Sequence, residues 1–239
     1  MFPIGDDNSD RRIQPVVNYA FIGINILVFL LLQQLGRNDA FTYAFSLVPR
    51  EILSGIDIQG LVEIRDTAGR MIGEVNHQST PLPVYFNFLS SMFMHGDVMH
   101  IVGNMLFLFI FGDNIENRIG HIRYAFFYII CGLAAAVGQI VMGPDSIIPM
   151  LGASGAISGV LGGYLMLFPQ RSVRAIIFHF ATTVPAFVAI GIWIVYQLVL
   201  GYLTPSGGGG VAYAAHIGGF IAGLALIRLF ALGRPDQTR

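Results

Sequence analysis

Lysine is absent from the chain, cysteine and tryptophan occur once each, and charged residues make up only 11% of the 239 positions. Each shortage closes a class. Ordinary soluble domains carry about 25% charged residues, so a deficit this large means that most of the surface does not face water. A single cysteine, Cys131, set in an apolar run, allows no disulfide framework and no cysteine-based metal site. A formal net charge of −1 gives no basic footprint for nucleic acid. A cleavable leader is not expected either. Asp6, Asp7 and Asp10 precede Arg11 and Arg12, and no small-residue cleavage site follows the first apolar stretch, which reads as a retained helix.

What is abundant is hydrocarbon. Hydrophobic residues make up 54% of the chain and the mean hydropathy is +0.67, as expected of an integral membrane protein. Six stretches approach the length needed to cross a hydrocarbon core of about 30 Å at ~1.5 Å per residue. They cover 16–35, 94–111, 122–142, 153–168, 175–202 and 211–232. The expected fold class is therefore all-α, a six-helix membrane bundle spanning 16–232. A cytoplasmic segment (1–15) would precede it and a cytoplasmic tail (233–239) follow it. Pro169 suits a helix end and Pro185 a tolerated kink.

The basic residues are all arginine, and their placement predicts orientation. With six crossings, one side collects Arg11, Arg12, Arg118, Arg123, Arg171, Arg174, Arg228, Arg234 and Arg239. The other side holds Arg37, Arg50, Arg65 and Arg70, all in one acid-balanced loop. That bias puts both termini in the cytoplasm, and a bacterial inner membrane is the expected location. The long outer loop, 36–85, has soluble character. Its 41–49 stretch mixes aromatic and polar residues like an interfacial helix, and 62–75 alternates about an Ala-Gly turn like a small hairpin.

Polar residues inside membrane spans are costly, so each needs an account. The second span carries His95, His100 and Asn104, the fourth opens with Gly152-Ala-Ser-Gly155, and the sixth carries His216 after Ala215. Distance along each helix from the cytoplasmic arginines gives their depth. Ser154 lies ~25 Å from Arg171, His216 ~18 Å from Arg228, and His100 and Asn104 ~27 and ~21 Å from Arg118. All four fall in the outer half of the core. Taken singly, each has an ordinary explanation: a membrane serine usually bonds its own backbone, as expected for Ser158, a buried histidine packs, and an asparagine staples helices. Their common depth favours a site. Gly155, Gly159 and Gly163 on the fourth span, and Gly219 and Gly223 on the sixth, form small-xxx-small faces that let helices approach closely. Packing these faces together would bring Ser154 within reach of His216, as a serine–base pair requires.

These blocks resemble the rhomboid family of intramembrane serine proteases. Gly-x-Ser-Gly at 152–155, Ala-His-x-Gly at 215–218 and His-x4-His-x3-Asn at 95–104 stand in the family's order and spans. Phe111 to Glu116 is similar to the family's end of the second helix. The resemblance covers about 85–232. It implies that Ser154 is the nucleophile and His216 the base of a dyad without an acid. It also implies that Asn104, His100 and the Gly152 block, with the Ser154 backbone N–H, stabilise the oxyanion. His95, Glu116, Gly155, Gly159, Gly219 and Gly223 would be structural. The chain departs from the family in having Phe86-Asn87 where a Trp-Arg pair often stands. It also has Ser158 where some members stack a tyrosine on the histidine.

The implied activity is cleavage of transmembrane protein substrates near the outer membrane boundary. The lipid bilayer is the surrounding partner, and no cofactor, metal or nucleic acid is expected. A rhomboid-like non-proteolytic binder or chaperone of transmembrane helices is the alternative, although such relatives lose the serine or the histidine. A transporter would predict internal repeats, which the sequence lacks. A metalloprotease would need a His-Glu-x-x-His, also absent.

Overall fold

The backbone N–H groups of Val17 and Asn18 donate to the buried carboxylate of Glu116 at 3.0 and 2.7 Å. The first apolar helix is thus capped from a distant helix, since Pro15 at its N-cap offers no side-chain acceptor. The computed structural model describes residues 2–65, 68–177, 179–203 and 211–234. In chain order its elements are β1 (Phe2–Asp6), α1 (Val16–Leu32), α2 (Asp39–Phe45), α3 (Pro49–Ser54), β2 (Gly60–Arg65), β3 (Met71–His77), α4 (Asn87–Ser90), α5 (Val98–Ile119), α6 (His121–Met142), α7 (Ser154–Leu167), β4 (Ser172–Ile177), β5 (Phe180–Pro185), α8 (Ala186–Leu203) and α9 (Tyr213–Ala231).

Helix dominates, and α5, α6, α8 and α9 are long and apolar enough to cross a membrane. Helices α1 and α7 are apolar but shorter. The reason in α7 is placement. Every residue from Gly155 to Tyr164 is buried, packed against α9 and α6, so this helix lies within the bundle and its face is set by neighbours rather than by lipid.

Two sheets correct the all-α expectation. The residues expected to begin the fifth span at 175 instead form a hairpin: β4 pairs with β5 (Ser172 opposite Pro185, Ile177 opposite Phe180), and the helix starts at Ala186. β-Branched residues such as Ile176, Ile177, Thr182, Thr183 and Val184 suit a pleated strand. Pro185 ends β5 directly before the helix and makes no kink within it. The N-terminal β1 adds to this hairpin, antiparallel to β4 (Phe2 opposite Ile176, Asp6 opposite Val173). Polar bonds hold it there. Tyr164 Oη donates to Asp6 at 2.6 Å, Arg171 pairs with Asp10 at 2.5 Å, and Arg11 pairs with Asp113. Several of the arginines that carry the orientation bias therefore also stitch the N-terminal segment to the ends of α5 and α7.

At the opposite end, β2 and β3 form the hairpin expected from alternation, with Val62 opposite Val75; residues 66–67 of its turn lie outside the described residues. The expected interfacial helix is two short helices, α2 and α3, separated at Leu47. Leu47 exchanges backbone hydrogen bonds with Met150 at 2.9 and 2.7 Å. This bridge fixes the loop that leads into Ser154.

Candidate active site

Gly152 makes the turn before α7. Its φ of +131° is a conformation L side chains rarely adopt, and a Cβ there would stand 3.0 Å from the His100 ring and 3.5 Å from Ser154 Oγ. Its N–H is held by the Ser91 carbonyl at 2.8 Å. The chain then enters α7 at Ser154, whose side chain is half-buried at the first helical position, beside the unpaired N–H groups of a helix start.

His216 comes from α9, which runs in the same direction. Gly219 and Gly223 are so close to the carbonyl oxygens of Gly155 and Gly159 that a Cβ at either would collide with them. The glycine faces meet as expected, and they bring His216 Nε2 to 2.8 Å from Ser154 Oγ. The other ring nitrogen, Nδ1, lies 2.7 Å from Gln197 Oε1 on α8. The indole of Trp193 lies tilted 6.0 Å from the imidazole, and the Tyr213 ring meets it edge-on at 6.5 Å. These groups surround His216 in a chain with no tyrosine one turn after the serine. Ser158 instead donates to the Ser154 carbonyl at 2.6 Å, as a helical serine does.

The third motif arrives on α5. Asp97 caps this helix, its carboxylate accepting the His100 N–H at 2.8 Å. One turn on, Asn104 is buried, with its amide nitrogen 2.9 Å from His95 Nε2. His95 is itself fixed by Gln33, whose side chain accepts the His95 N–H at 2.9 Å and donates to its carbonyl at 2.8 Å. A cavity of about 1130 Å³ joins the parts, lined by His100, Asn104, Ser154 and His216, with Glu63 and Arg65 reaching it from β2.

Ser154, His216, His100, Asn104, Gly152 and His95 are thus brought together. Glu116 is elsewhere, capping α1 and bonded to His121 Nδ1 at 2.5 Å. Gln197 and Gln33 belong to no motif, and residue spacing does not mark them. A buried carboxamide inside an apolar span is costly, and that cost was the available signal for Gln197.

The rhomboid domain family model matches residues 83–232. Among curated proteins, Rhomboid-related protein 2 of Mus musculus is 28% identical over 150 residues, 59% of this chain and 46% of that protein. RHOMBOID-like protein 4 of Arabidopsis thaliana is 32% identical over 142 residues, 59% and 33% of the two chains. The Rhomboid protease GluP of Bacillus subtilis (strain 168) is 25% identical over 222 residues, 93% of this chain and 36% of that one. The chain spans half or less of the length of these three relatives. The family model covers all three motif blocks and well over half of the sequence, and the chain belongs to the rhomboid family.

Proposed function

We propose that the chain is an intramembrane serine endopeptidase that cuts transmembrane segments of other membrane proteins near the outer membrane boundary. The observation that carries this reading is the 2.8 Å approach of Ser154 Oγ to His216 Nε2, between residues 62 positions apart on two closely packed apolar helices. A binder that does not cut has no use for that bond.

In this mechanism Ser154 Oγ attacks the scissile carbonyl carbon as its proton passes to His216 Nε2. The charge that develops on the carbonyl oxygen meets the Ser154 N–H, the Asn104 amide and His100, beside the open turn at Gly152. Preorganised donors aimed at the developing charge are each worth several kcal/mol to the transition state. Collapse breaks the C–N bond, the imidazolium protonates the leaving amine, and an acyl ester remains on Ser154. Water, deprotonated by His216, then releases the acid and restores the serine.

In this reading the termini and the β1–β4–β5 sheet face the cytoplasm, all six apolar helices form the membrane domain, and the β2–β3 side faces outward in a bacterial inner membrane. The substrate supplies a further constraint. A transmembrane helix hides its peptide bonds, and each backbone group freed by unwinding in lipid costs several kcal/mol. A cavity that reaches the charged side chains of β2 lets water meet that cost, so cleavage falls near the outer boundary and beside helix-weakening residues. The test is cleavage of a transmembrane reporter in proteoliposomes by the wild type and Ser154→Ala, with products mapped by mass spectrometry. Cutting that survives Ser154→Ala overturns the proposal.

A further inference from the structure

We propose that Gln197 is a positioning residue that fixes the tautomer and the ring plane of His216, a third member behind the Ser154–His216 pair. The inference rests on the serine-protease reading and adds to it a residue that no motif marks. A neutral imidazole has one N–H and one bare nitrogen. To take the serine proton, Nε2 must be the bare one, so Nδ1 must carry hydrogen, and a buried N–H needs an acceptor. Gln197 Oε1, 2.7 Å from Nδ1, is that acceptor. Were the carboxamide turned the other way, its NH₂ would donate to Nδ1, the hydrogen would sit on Nε2, and His216 would donate to Ser154 instead of accepting from it. The orientation of one amide therefore decides whether the pair can work.

Burial and geometry make the restraint firm. Gln197 is 6% exposed and His216 8%, so water does not readily replace the bond. Trp193, one turn before Gln197 on the same helix, lies alongside the ring, and Tyr213 closes its edge. The restraint comes from α8, whereas the nucleophile and base come from α7 and α9. The base is therefore oriented by a helix that supplies neither reacting group. A neutral amide also suits an apolar span, where an ionised carboxylate would be far more costly to bury.

Three variants and one spectrum test this. Gln197→Met keeps the length and removes the acceptor, Gln197→Ala removes the side chain, and Gln197→Glu keeps an acceptor at the same reach. In the purified full chain, the Met and Ala variants should lose on the order of 10²-fold in kcat and in the rate of Ser154 phosphonylation by a fluorophosphonate, with KM little changed. Gln197→Glu should recover most of that loss. Equal losses in the Met and Glu variants, wild-type kcat in Gln197→Met, or a loss confined to KM would each overturn the role. Nitrogen-15 NMR of histidine-labelled wild type needs no variant to fold: Nδ1 should be protonated and Nε2 bare. An Nε2–H tautomer in a wild type that reacts with the probe overturns the role of Gln197 alone. A wild type that neither reacts nor cleaves overturns the protease reading and this role with it.

Discussion

The α-carbon of Gly219 faces the carbonyl oxygen of Gly155 so closely that a side chain at 219 would overlap it, and Gly223 stands in the same relation to Gly159. These two contacts, one turn apart, set the spacing of α7 and α9 and thereby the approach of Ser154 to His216. Gly219→Val should therefore abolish cleavage and lower the thermal midpoint, since overpacking typically costs about 1–3 kcal/mol. Gly23→Ala is the control, because a Cβ at Gly23 meets nothing within 4 Å. It should be neutral or slightly stabilising. Cleavage at the wild-type rate by Gly219→Val would detach the glycine face from the site.

Asn104→Ala should lower turnover by roughly 10²-fold with little effect on substrate binding, as for removal of one oxyanion donor. His95→Ala should follow part of the way, because His95 Nε2 holds the Asn104 amide at 2.9 Å. Steady-state kinetics on the reporter decide this. An effect of Asn104→Ala mainly on KM would make it a substrate-positioning residue.

Glu51, buried on α3 beside His77, gives a stability prediction outside the spans. Burial raises its carboxyl from 4.5 to about 7, against the Ile58 N–H that it accepts. A raised folded value favours the native state fully below about pH 4.5. That advantage is lost as pH rises towards 7, because over that window the unfolded chain alone ionises. Glu51→Gln should flatten this fall and be more stable than wild type at pH 7.5. Asp6, also raised by burial to about 7, keeps part of the slope, and His77, lowered by burial, acts in the opposite sense. Thermal midpoints of both proteins at each pH test it; parallel curves contradict it.

Orientation is testable by labelling. Ile56 is 67% exposed near β2 and Phe180 is 77% exposed in the β4–β5 hairpin, at opposite ends of the bundle. The native Cys131 is buried and free, so its background is low. An impermeant maleimide added to intact cells should label Ile56→Cys and spare Phe180→Cys. The reverse pattern would overturn the orientation drawn from the arginines.

The candidate site is legible in the sequence because polar groups in apolar helices are conspicuous. Ser154, His216, His100 and Asn104 stood out by depth, and the glycine steps named the face that joins two of them. Gln197 did not stand out, since one carboxamide with no spacing partner forms no pattern, and its meaning depends on a helix crossing visible only in three dimensions. The β2–β3 hairpin was readable from its alternation. The β1–β4–β5 sheet was not, because the largely apolar 175–185 leads straight into α8 and hydropathy does not separate such a strand from a helix start. The other partner of β4, the N-terminal β1, moreover lies some 170 residues away in sequence. The fourth span, expected over 153–168, is α7 at Ser154–Leu167, and its enclosure by neighbouring helices is visible only in three dimensions.

The most direct test of the central claim is to incubate the purified protein with a fluorophosphonate and map the labelled residue by mass spectrometry. The account predicts a single adduct on Ser154, lost in Ser154→Ala and strongly slowed in His216→Ala. Because the two residues act as one unit, the double variant should be no worse than either single in reporter cleavage. An adduct on another residue, or labelling at the wild-type rate without His216, would contradict it.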